Sequence, residues 1–122
     1  MDRTFGETVR QQRLAKRLGV RELARSLGLS ASYVCDIEFD RRTPSEDVLR
    51  NLAIALGLNV NDLMALSGRL GEVGENYMRR TPAVADLVRA LARRRVPNAQ
   101  VRAIIGDLDD LLRTYEEGRT VA

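Results

Sequence analysis

Leu27-Gly28-Leu29-Ser30 leaves this chain almost no room to change direction. Ahead of it, Leu23, Ala24 and Leu27 repeat at the spacing of one helical face, in a short helix expected over Val20–Leu27. Behind it, Ser30 is a good N-cap for another short helix, expected to run to about Phe39. Gly28 stands where a helix end needs a left-handed backbone, which glycine adopts without steric cost. Two short helices joined this tightly must cross steeply. Ala24 is small where they have to approach. Leu23, Leu27, Val34 and Ile37 can then meet beneath the corner. That leaves Ala31, Ser32, Cys35 and Asp36 on the outer face of the second helix, with Tyr33 at its side.

The rest of the pattern is helical too, with no strand-like alternation. A first helix is expected from about Arg3 to Arg17, with Phe5, Val9 and Leu14 inward. Gly19 separates it from the second. After a polar loop, Asp40 to Pro44, Ser45 caps a fourth helix. Glu46 and Asp47 sit in its positive first turn, and Val48, Leu49, Leu52, Ala53 and Leu56 are expected inside. Gly57 ends it. Asn59 and Asp62 resemble a capping box for a fifth helix carrying Leu63, Met64 and Leu66. Residues 67–75 hold three glycines and few bulky apolar residues. They read as a hinge leading into a short helix that ends near Arg80. Thr81-Pro82 looks like an N-cap with proline at the first helical position. The helix it starts has Val84, Leu87, Val88 and Leu91 on one face and ends near Arg95. Val96-Pro97-Asn98 breaks the pattern. A last amphipathic helix carries Val101, Ile104, Ile105, Leu108, Leu111, Leu112 and Tyr115, and the tail from Glu116 is expected to fray.

Composition closes off several functions. The 122 residues include no histidine, no tryptophan and one cysteine. Histidine-based acid–base or triad chemistry is excluded, a zinc site is poorly supplied, and no cofactor is implied. No glycine-rich phosphate loop follows a strand pattern. The reading is a non-enzyme. A lone cysteine fits a reducing cytoplasm, and no apolar run approaches the ~20 residues of a membrane span. MDRTFGETVR has no apolar stretch after its basic start, so it does not read as a secretory signal. Of the 20 basic residues, 19 are arginine, a side chain that grips phosphate in two-pronged geometry. Codon bias explains much of that excess. Charge is nearly balanced in both halves, 11 basic against 9 acidic residues in 1–70 and 9 against 8 in 71–122, so phosphate binding would depend on where arginines sit.

ELARSLGLSASYVCDIEFDRRTPSEDVLRNLAIALGLNVNDLMAL resembles the lambda-repressor/Cro-like (XRE) DNA-binding domain. The resemblance covers roughly residues 3 to 67. It rests on the Leu-Ala step, Gly28, Tyr33, Ile37-Glu38, the Pro44-Ser45 start of helix four and the Leu-Gly before helix five. It implies an all-α fold: a five-helix DNA-binding domain whose third helix docks in the major groove of double-stranded DNA. Residue by residue, it implies that Ser30, Ala31, Ser32 and Asp36 face bases. Tyr33, Arg41 and Arg42 would reach phosphate, as would the helix start at Val20 and Arg21. The family often has glutamine where this chain has Val20, which leaves the backbone N–H groups of that turn. Arg13 and Glu38 would form a structural ion pair. Phe39-Asp40 replaces the more usual residue-glycine pair of the following loop. Cys35 reads as a small filler, with no histidine to activate it.

Domains are expected over residues 1–68, 69–80 (hinge and short helix) and 81–122. The last would be a helical hairpin whose exposed stripes pair with a second copy through Leu87, Leu91, Ile104, Leu108, Leu111 and Leu112. The function expected is a cytoplasmic, sequence-specific transcriptional regulator, a repressor on a two-fold operator as a homodimer. The alternative is an antitoxin or immunity-type DNA-binding protein whose tail holds a protein partner: a toxin, an antagonist or a regulatory metalloprotease.

Overall fold

The computed structural model describes the backbone of residues 3–121 and side chains through residue 119. Among the described residues every regular element is a helix: α1 Phe5–Ala15, α2 Val20–Leu27, α3 Ala31–Glu38, α4 Glu46–Leu56, α5 Val60–Leu66, α6 Gly71–Arg80, α7 Ala83–Arg93 and α8 Asn98–Val121. The chain divides into two units, Met1–Asn76 and Tyr77–Ala122. None of the described helices is long and apolar enough to cross a membrane.

Side-chain caps start most helices of the first unit. Thr4 and Glu7 form a full capping box on α1. Ser30, Ser45 and Asn59 accept from the backbone N–H of Tyr33, Val48 and Asp62 at 3.1, 3.3 and 3.1 Å. The helix ends share a device. After each of α1 to α5, and again after α7, a residue with positive φ turns the chain. The next N–H then bonds the carbonyl five residues back, as Leu29 N does to Ala24 O at 2.9 Å. Glycine holds that place after α2, α4 and α5, whereas Arg17, Asp40 and Arg95 hold it after α1, α3 and α7. A left-handed backbone costs an ordinary residue about 1–2 kcal/mol, so these three need compensation.

The first unit closes over one core of Phe5, Val9, Leu23, Ala24, Val34, Ile37, Leu49, Leu52, Ala53, Leu56, Leu63 and Met64. Helix α1 packs on α3 and α4, α2 on the same two, and α4 on α5. Gly6 lets α1 meet α3 end-on: a Cβ there would lie 2.6 Å from the Ile37 carbonyl oxygen and closer still to that of Glu38.

Several expectations need correcting. Leu14 is exposed, because the inner face of α1 advances by fours through Phe5, Val9 and Arg13, and Leu14 lies about 100° round from Arg13. Val48 is only half-buried, and Leu66 is exposed. The helix that follows the glycine-rich stretch begins earlier than its composition suggests, at Gly71. Gly68 and Gly71 take positive φ, but Gly74 lies inside α6, where a Cβ would sit 2.8 Å from Leu70 Cβ. Pro82 stands at the cap of α7 with no side-chain acceptor, one position earlier in the helix than expected. The tail does not fray at Glu116, since α8 continues to Val121.

In the second unit, the α7 end at Arg95 leads through Val96 and Pro97 into α8. No residue of α7 is buried, and Leu87, Ile104, Leu108, Leu111 and Leu112 are all exposed, with Leu91 half-buried.

Candidate nucleic-acid interface

The corner fixes the orientation of α3. Gly28 has φ 68° and ψ 28°, and a Cβ there would meet nothing within 4 Å, so the backbone conformation and not space selects glycine. Ser30 then caps α3. Val34, Ile37 and Glu38 are its buried side, while Ser30 and Ser32 are exposed and Ala31, Tyr33, Cys35 and Asp36 half-buried. Burying three of eight residues in a common core sets which face is left for a ligand.

Arg13 and Glu38 are placed together inside the fold, at 8% and 6% exposure. Arg13 Nε and Nη2 donate to the Glu38 carboxylate at 2.7 and 2.9 Å, and Nη1 donates to the Leu18 carbonyl at 2.9 Å. The guanidinium pKa is held above its ordinary value chiefly by the bonds to Glu38, against the lowering effect of burial. Arg13 also satisfies the left-handed turn at Arg17 by fixing the carbonyl that follows it. Both residues are therefore occupied in holding α1 to α3 and are not offered to a ligand.

A shallow concavity of about 410 Å³ opens beside α3, lined by Gly28, Leu29, Ser30, Ser32, Tyr33, Asp36, Arg42 and Val48. At its rim the Arg42 guanidinium lies 5.7 Å from the Tyr33 ring centroid, and Arg41 lies 5.1 Å from that of Phe39. Short side chains on the helix and long cations beside it suit a helix entering a groove between two rows of phosphates. At the start of α2, Gly19 offers no side-chain cap. Val20 packs toward the core, so the groups facing outward there are backbone N–H groups and the exposed Arg21 and Glu22, the acid lying beside Gly19.

The helix–turn–helix domain family matches residues 4–66, just over half of the chain. The chain belongs to that family. It is an XRE-type DNA-binding transcriptional regulator, and its α2–α3 corner is the motif that names the group. Among relatives, the ImmF control region 10 kDa protein of Bacillus phage phi105 is 34% identical over 70 residues, covering 57% of this chain and 78% of that protein. The immunity repressor protein of the same phage is 38% identical over 74 residues, covering 61% of this chain; the chain spans about half of that protein's length, 51%. A solved structure of SinR, a master regulator for biofilm formation, in complex with DNA is 29% identical with a TM-score of 0.47, over 50% of this chain and 98% of that one.

Sequence reasoning missed the part played by Asp40 in this helix–turn–helix domain. Its carboxylate accepts from Thr4 Oγ1 at 2.6 Å and from Gly6 N at 2.8 Å. These bonds compensate its φ of 58° and tie the exit of α3 to the start of α1. The available signal was the missing glycine after Phe39: an aspartate tolerates the left-handed region best when its side chain finds local donors.

Proposed function

We propose that this regulator is a cytoplasmic repressor that binds a two-fold operator as a homodimer, with α3 in the major groove. In this reading Ser30, Ala31 and Ser32 read base edges and Arg41, Arg42 and Arg21 contact phosphate. The observation that carries it is the face of α3, small side chains flanked by two aromatic-seated arginines. The exposed stripes of α7 and α8 supply a surface for the second copy through Leu87, Leu91, Ile104, Leu108, Leu111 and Leu112. A homodimer sets two reading helices about one DNA turn apart, ~34 Å. The names of the two phage relatives support an immunity-control setting.

Selection from a random-sequence duplex pool tests the reading. Enrichment of an inverted repeat with half-sites about 10 bp apart is expected. A single unsymmetrical site, or no enrichment, refutes it. Leu108→Asp with Leu112→Asp is expected to give a monomer by sedimentation, with operator affinity reduced at least tenfold. The same stripe supports a second reading, an antitoxin or immunity-type protein whose tail holds a different protein. Affinity purification from the native host discriminates: a stoichiometric heterologous partner that excludes the homodimer favours it.

A further inference from the structure

One carboxylate stands between two arginines at the exit of α3. Asp36 Oδ1 is 3.3 Å from Arg41 Nη1, and Asp36 Oδ2 is 3.6 Å from Arg42 Nε. The Asp36 side chain is 25% exposed, the two arginines 66% and 63%. The acid is therefore the anchored member and the guanidiniums the movable ones, each resting on an aromatic ring, Phe39 or Tyr33. The neighbouring acid Asp40 is committed to Thr4 and Gly6 and does not serve them. A carboxylate presents to guanidinium the same pair of anionic oxygens that a phosphodiester does.

We propose that Asp36 is an internal stand-in for DNA phosphate, a positioning residue that sets specificity and not a reader of bases. It holds Arg41 and Arg42 over their rings in the free protein and subtracts one charge from the interface. Binding to arbitrary duplex is thereby weakened, and only a site where α3 seats fully repays the exchange of Asp36 for phosphate. The inference rests on the DNA-reading role of α3 proposed above.

The test uses the full chain, a mixed-sequence duplex of about 30 bp and fluorescence anisotropy from 50 to 300 mM KCl. Asp36→Asn should tighten binding to this duplex about eightfold at 0.1 M salt and steepen the log–log salt slope by about 0.9, the signature of one more neutralised phosphate. A purely structural role would not steepen that slope. In an Arg41→Gln/Arg42→Gln background the gain should fall below twofold. Asp36→Ser serves as a second variant with the same two readouts. Unchanged or weakened binding with an unchanged slope overturns the inference, as does a gain that survives loss of both arginines. A wild-type chain that binds no duplex even at 50 mM overturns the proposed function itself; a wild-type chain that binds, with an indifferent Asp36→Asn, overturns only this step.

Discussion

Removing the Glu38 carboxylate should do more damage than any surface change in this protein. In Glu38→Ala, Arg13 keeps one partner, the Leu18 carbonyl, while its guanidinium stays inside the fold at 9% side-chain exposure. An uncompensated buried charge costs about 3–5 kcal/mol. A unit the size of Met1–Asn76 has about 4–11 kcal/mol in total, so the variant loses at least a quarter of its stability and in the worst case all of it. Replacing both partners, Arg13→Met with Glu38→Leu, removes the stranded charge and should return to within ~1 kcal/mol of wild type. Hydrogen exchange of the Val9, Leu49 and Leu52 amides reads the first unit alone, with urea titration as a check. The pH dependence has a definite sign. Arg13 is a cation whose folded pKa is raised, so its contribution is complete below the ordinary arginine value and is lost only as pH climbs through the folded one. From this side of the pair, stability should be flat across the neutral range. A cost under ~1 kcal/mol for Glu38→Ala, or a double variant no better than the single, would refute the reasoning.

Three further outcomes can be checked by thermal melting. Gly6→Ala drives a methyl group to 2.6 Å from the Ile37 carbonyl oxygen, and the overpacking of α1 against α3 should cost about 2–3 kcal/mol, lowering Tm by at least ~8 °C. Arg17→Gly relieves a φ of 55° and should gain about 0.5–1 kcal/mol, whereas Asp40→Gly, at φ 58°, should lose about 1–2 kcal/mol because the bonds from Thr4 and Gly6 go with the side chain; an equal gain at both would show that Asp40 ties nothing. Ser30→Ala should cost about 1 kcal/mol through the lost cap on Tyr33 N, and an unchanged melt would place the start of α3 elsewhere.

The parts of the fold that could be read from the sequence are those governed by local chemistry. Gly28 and Gly57 end helices, and Ser30, Ser45 and Asn59 begin them, because backbone conformation and a single side-chain oxygen decide those points within three residues. What could not be read depends on partners far along the chain. Leu14 looked inward by hydropathy, yet the charged Arg13 took the core face; its partner Glu38, 25 residues away, was expected from the family resemblance and not from the hydropathy pattern. Asp40 looked like an ordinary loop acid because its partners are 34 and 36 residues back. The glycines of residues 67–75 were read by composition, but α6 begins at Gly71 and Gly74 lies within it. At the candidate interface, residue type gave the small face of α3, while the crossing of Asp36 to both arginines emerged only from the turn that brings the loop back beside the helix.

The bond between Thr4 and Asp40 also has a practical side. Because the first capping residue is fastened to the exit of α3, anything spliced on ahead of Thr4 starts life beside Asp40, which precedes Arg41 and Arg42 in the chain. A polyhistidine or acidic tag placed there would add its own charge to the surface under assay and blur every salt titration.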